Sequence, residues 1–235
     1  MQQQPQYAGA ARAEVRVNSF VRSVYNWMVV GLALTGGIAL FVANTPPIFN
    51  AVARNPILLI AIILAELGLV VYLAARIQKM SAQAATAAFV IYASLNGVVF
   101  SIIFQAYTQA SIARVFFICA GMFLGCSVYG WITKRDLTSL GGFMFMGLIG
   151  IIIAMVVNWF LHSSALHMAI SVIGVFVFLG LTAYDTQKIK NMAETQPADA
   201  DGALIRKGAI MGALSLYLDF INLFLFLLRL FGERR

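Results

Sequence analysis

Seven stretches of 19–27 residues, at 24–43, 57–75, 84–106, 112–132, 142–161, 165–187 and 205–231, are apolar almost throughout. The hydrocarbon core of a bilayer is about 30 Å thick, and a helix of about 20 residues crosses it. In hydrocarbon every backbone N–H and C=O must find a partner inside the protein, so only helices and closed barrels cross. These runs are too long and too continuous for the alternating pattern of barrel strands. Seven transmembrane helices are therefore predicted, in an all-α integral membrane protein with breaks at 46–47, 76–83, 107–111, 134–140, 162–164 and 191–202. The composition agrees, since 61% of the 235 residues are apolar and 11% are charged, against roughly 25% charged in a soluble domain. Seven spans take up roughly 140 residues, which leaves no room for a second sizeable domain. The predicted organisation is a polar arm over 1–20 and a single seven-helix transmembrane domain over 21–235. The first run is followed by further spans, so it is expected to be a retained helix and not a cleaved signal peptide.

A net charge of +7 raises the question of nucleic acid, but the 16 Lys and Arg are scattered in ones and twos between the apolar runs. Scattered basic residues of this kind carry topology, so no nucleic-acid partner is expected and the lipid bilayer is. With seven spans, one side receives eleven basic residues, namely Arg12, Arg16, Arg22, Arg76, Lys79, Lys134, Arg135, Lys188, Lys190, Arg206 and Lys207. The other receives five: Arg54, Arg114, Arg229, Arg234 and Arg235. The N-terminus is thereby predicted to be cytoplasmic, in a multi-pass protein of a bacterial cytoplasmic (inner) membrane. The basic C-terminal tail fits this less well, because it also suits a last helix that dips in and returns. Gly121 with Gly125 and Gly208 with Gly212 have the GxxxG spacing of helix contacts. Cys119 and Cys126 lie about 10 Å apart along one helix, too far for an intrahelical disulfide, and read as small core residues.

Charges inside a membrane are costly and need an interior explanation. Asp219 lies deep in the last run, on a stripe with Gly208, Gly212, Ser215 and Asn222 that should face the bundle. Asp185 lies nearer the cytoplasmic end of the sixth run, where hydration or pairing with Lys188 would explain it. Glu66 sits mid-way along the second run, and Arg76 at its end suits snorkelling to the interface. If Asp185 and Asp219 meet, they cannot easily hold two negative charges, and a proton shared between them makes a pH-sensitive latch. The carboxylates are also hard oxygen donors suited to calcium. Depth counting places Asp219 about 10 Å deeper than Asp185, a gap that tilt or a deeper sixth span must close.

Enzymatic readings fail on the motifs, and no enzyme activity is expected. Asp219 follows Leu216-Tyr217-Leu218 and not the GxGD of an intramembrane aspartyl protease. His162 and His167 lie outside any HExxH, and no phosphate-binding glycine loop is present. The chain resembles the Bax inhibitor family, and in particular its bacterial branch. The resemblance rests on LTAYDTQKIK at 181–190, ALSLYLDFINLFLFLLRLFG at 213–232, ITKRDL at 132–137, and Glu66 with Arg76. It implies a seven-helix bundle with the last helix central and a pH-sensitive calcium leak, calcium being the transported ion and no cofactor being needed. The family's two sensor aspartates correspond to Asp185 and Asp219. Its latch arginine falls at or beside Arg76, where a run of Arg in the bacterial pattern is replaced here by Arg76, Ile77, Gln78 and Lys79. Glu66, Ser215 and Asn222 are candidates for the ion route. The alternative is a non-conducting regulator that binds a partner such as a membrane protease.

Overall fold

A computed structural model of the chain describes residues 4–197 and 200–235, with side chains from Glu14 onward. Residues 1–3 of the expected polar arm, and 198–199 in the acidic loop before the last span, lie outside the described residues. The helices are α1 (Gln4–Ala43), α2 (Pro46–Ala53), α3 (Pro56–Arg76), α4 (Ala82–Phe100), α5 (Ile103–Ala106), α6 (Gln109–Ile132), α7 (Thr138–Leu161), α8 (Ser164–Glu194) and α9 (Gly202–Phe231). A 3-10 turn, Ile77–Lys79, follows α3. Among the described residues seven helical segments are long and apolar enough to cross a membrane, in the seven places where the sequence predicts spans.

The helix starts have local causes. Proline opens α2 and α3, where its missing N–H costs nothing. Asn55, Ser81 and Thr108 cap α3, α4 and α6 by accepting from the N–H groups of Leu58, Ala84 and Ser111. Three boundaries differ from expectation. The described part of the polar arm is helical and continuous with the first span. The third run breaks at 101–102, where Ser101 turns its hydroxyl back to the Val98 carbonyl at 2.6 Å. Finally, α8 runs seven residues past the predicted end, to Glu194, because the added turns hold good helix formers and bury Ile189 and Ala193.

By packing, the helices form two compact units whose boundary falls inside α8 and α9. The first comprises the chain up to Gln105 with Ile189–Leu214. In it α1 and α3 both pack on α4, and the Thr35 hydroxyl of α1 donates to the Ala93 carbonyl of α4 at 2.8 Å. Gly97 allows this approach, since a Cβ there would lie 2.7 Å from the Ile38 side chain. The Gly208 and Gly212 pair is a true contact seam, facing Phe20 and Val24 of α1.

The second unit comprises Ala106–Lys188 with Ser215–Arg235. Phe220 of α9 packs edge-on against Phe116 and Phe123 of α6, each at 5.4 Å between centroids. Phe226 lies against Phe178 of α8 and covers Gly174, where a Cβ would be 2.7 Å from its ring. Cys119 is buried with its thiol 3.7 Å from the Phe220 carbonyl, and both cysteines are free. The tail beyond α9 is tied to the segment before α6, with Thr108 N–H donating to the Glu233 carbonyl at 3.0 Å and Arg235 N–H to Ala106 at 3.1 Å. The last helix therefore ends where α6 begins and does not return. The Arg114–Glu233 ion pair at 3.1 Å is exposed and adds little.

Among the described residues the last span is the most buried, with 72% of its apolar window buried against 6–39% for the other six. The Gly121 and Gly125 pair is a correction to the sequence reading. Both are exposed, and a Cβ on either would meet nothing within 4 Å, so among the described residues this spacing marks no contact. Gly130, by contrast, lies directly against the Ala183 backbone carbonyl of α8. Gly130→Ala should lower the thermal midpoint in detergent, with a cost of about 1–3 kcal/mol from overpacking, whereas Gly121→Ala should leave it unchanged or slightly raised.

Candidate functional site

In the second unit α7, α8 and α9 line an open cavity of about 660 Å³. Its polar lining is Tyr184, Asp185 and Lys188 from α8, and Ser215, Asp219 and Asn222 from α9. Each set follows helical spacing, which brings residues three and four apart onto one face. The wall supplied by α7 is apolar, with Phe145, Leu148 and Ile152 at the same spacing. Gly141 at the start of α7 makes room for the Tyr184 ring, which a Cβ would approach to 2.5 Å.

The contact between Gly174 and Phe226 sets the register of α8 against α9. From it, Asp185 lies eleven residues along α8 and Asp219 seven along α9 in the same direction. At 1.5 Å per residue the two levels differ by about 6 Å. The difference of about 10 Å counted from the sequence rests on equal starting depths for the two spans, which the packing does not keep. Both carboxylates reach one cavity.

Asp219 is 4% exposed, and its Oδ2 is buried without a hydrogen-bond partner. Asp185 is half-buried, while Lys188 is exposed at the cavity with its ammonium 5.9 Å from the Tyr184 ring centre. The Asn222 amide N–H donates to the Leu218 carbonyl at 2.8 Å, a bond that leaves its carbonyl oxygen unused. Two carboxylates, a hydroxyl and an amide oxygen thus offer hard donors. No group of three or more His, Cys, Asp or Glu side chains suited to a metal assembles among the described residues. Glu66 and Arg76 do not line this cavity. They stand on α3 in the first unit, Glu66 half-buried with Oε1 lacking a hydrogen-bond partner, and Arg76 exposed at the helix end.

Gln187, two residues beyond Asp185, escaped the sequence reading because its role depends on a distant loop. Its Oε1 accepts from Leu137 N–H and its Nε2 donates to the Arg135 carbonyl, both at 2.8 Å. One amide side chain thereby satisfies two backbone groups of the ITKRDL turn and fixes α8 to the entry of α7. In the same turn Asp136 accepts from the Thr138 N–H at 2.9 Å and hydroxyl at 2.6 Å. The hydroxyl and then the N–H hold its carboxyl below the ordinary range. These bonds are thus strongest with Asp136 ionised and weaken only as acid protonates it.

The sequence profile of a family described as "Inhibitor of apoptosis-promoting Bax1" matches residues 17–235. The chain is 51% identical over 219 residues to the inner membrane protein YbhL of Escherichia coli, covering 93% of each chain. It is 46% identical over 216 residues to an uncharacterized protein of Rickettsia prowazekii, covering 92% of this chain and 90% of the other. A further uncharacterized protein, from Borreliella burgdorferi, is 44% identical over 218 residues with 93% of each covered.

Replacing Gln187 by Ala leaves the two turn groups without their partner, at a cost of about 1–3 kcal/mol. Amide exchange at Leu137 should quicken in Gln187→Ala, while amides in the middle of α9 keep their protection.

Proposed function

This chain belongs to the Bax inhibitor family of membrane proteins, and on that premise we propose that it is a pH-sensitive calcium leak of a bacterial inner membrane, gated by Asp185 and Asp219. The observation that carries this function is the joint exposure of both carboxylates to one cavity, with one oxygen of Asp219 buried and unpartnered. A buried carboxylate is costly when ionised and unpaired, so the cavity's packing responds to whether the pair holds a proton. With one proton shared between the carboxylates and one negative charge left, Lys188 is drawn towards the pair and α8 and α9 are held together. A second proton removes that attraction and loosens the contact. Calcium takes six to eight oxygens, and the two carboxylates, Ser215 and Asn222 reach six only if both carboxylates bind through both oxygens. Such a sparse donor set suits an ion that passes with part of its water and not one held permanently.

The N-terminus is cytoplasmic, as the eleven-to-five distribution of basic residues implies. The inner-membrane location accords with the name of the Escherichia coli relative.

The test is calcium entry into indicator-loaded liposomes carrying the purified protein, at about pH 6 and about pH 8, below and above the middle of the physiological titration range. Wild type should conduct several-fold faster at the acidic pH, and Asp219→Asn should conduct equally at both. An unchanged pH response in Asp219→Asn removes Asp219 as the sensor. Absence of protein-dependent flux at either pH, with the protein folded and inserted, favours the rival: a non-conducting regulator that restrains a partner such as a membrane protease.

A further inference from the structure

A second cavity, of about 540 Å³, lies at the other end of the second unit, where α7 turns into α8. Arg229, Arg234, His162, His167, Ser163 and Ser164 line it, and no acidic side chain does. The turn that forms it is two residues long. His162 ends α7 in the left-handed conformation, with φ 51°. The Ser163 N–H then donates to Asn158 Oδ1 at 3.0 Å, and the Ser163 hydroxyl accepts from Leu166 N–H at 3.3 Å. The first turn of the 31-residue α8 therefore opens at the cavity with its partial positive charge. Both arginines are positioned from elsewhere. The Arg229 guanidinium lies 5.4 Å from the Phe226 ring centre, and the Arg234 backbone pairs with that of Tyr107.

Two guanidinium groups, hydroxyls and a helix N-terminus around one space, without an opposing carboxylate, suit a phosphate, whose oxygens arginine meets in a fork. The surroundings specify a lipid source. Trp159 and Phe160, 74% and 73% exposed, immediately precede the turn, and aromatic side chains of this kind concentrate at headgroup level. Met168 and Leu230 supply apolar lining beside the charged groups, as the glycerol and upper acyl chain of a lipid require. We propose that this cavity binds the phosphate of an anionic phospholipid headgroup, with Arg229 and Arg234 as its charge partners.

The measurement is native mass spectrometry of the full chain released from bilayers containing equal phosphatidylglycerol and phosphatidylcholine. Wild type should retain phosphatidylglycerol preferentially, and Arg229→Gln with Arg234→Gln should reduce that preference about tenfold or more, as loss of two interfacial cations implies. Arg229→Lys with Arg234→Lys keeps the charge but not the fork, and should recover part of it. Equal retention of the two lipids by wild type overturns the proposal. So does a preference that survives the Gln variant, with a thermal midpoint matching wild type as the control for folding. A cavity that takes inorganic phosphate with no advantage for phosphatidylglycerol overturns the lipid assignment.

Discussion

Backbone hydrogen bonding in hydrocarbon is the constraint from which the rest follows. Because a span must satisfy its own N–H and C=O groups, every long apolar run becomes a helix, and side chains alone distinguish one helix from another. Packing between such helices is driven by close contact and not by the exclusion of water. Small residues therefore decide where backbones meet. Gly97 lets α1 approach α4, Gly130 lets α6 approach α8, and Gly174 seats the Phe226 ring of α9. The burial of α9 is the sum of such contacts. Its first part faces Phe20 and Val24 in one unit, and its second part faces Phe116, Phe123 and Phe178 in the other.

That burial gives Asp219 its character. On the exposed face of a helix like α3 an aspartate would face lipid and be excluded by cost, and the acid that α3 does carry, Glu66, is half-buried. On α9 Asp219 faces protein and a cavity that Asp185 and Lys188 also reach. The same packing orders the neighbouring turn, because Gln187 and Gly141 both act one or two residues from the aspartate or its flanking tyrosine. Residues that hold the site and residues that line it thus alternate along one stretch of α8.

The spans, the cores of the seven helices and the two aspartates were legible in the sequence because each is a local signal: a run of about 20 apolar residues, or a charge where none is tolerated. Ser215, Asp219 and Asn222 shared a face by helical periodicity alone, and all three line the cavity. The GxxxG spacing was legible only as a possibility. Gly208 and Gly212 are packed, whereas Gly121 and Gly125 carry the same spacing on an exposed face. Spacing records which residues share a face of their own helix and says nothing of what stands opposite. Gln187 was invisible for the same reason, since its partners lie about fifty positions away in the chain.

By itself the sequence determined that this chain is a seven-helix membrane protein of the Bax inhibitor family with two acidic residues in its last two spans. Hydropathy and periodicity act within a single helix and need no partner to be read. Only the tertiary structure decided that Asp185 and Asp219 reach a common cavity, that the tail folds onto the start of α6, and that Arg229 and Arg234 gather beside the α8 N-terminus. Those outcomes depend on the register between helices. Register is set by where a ring such as Phe226 meets a glycine such as Gly174, a choice made by pairs of residues some fifty positions apart and not by either alone.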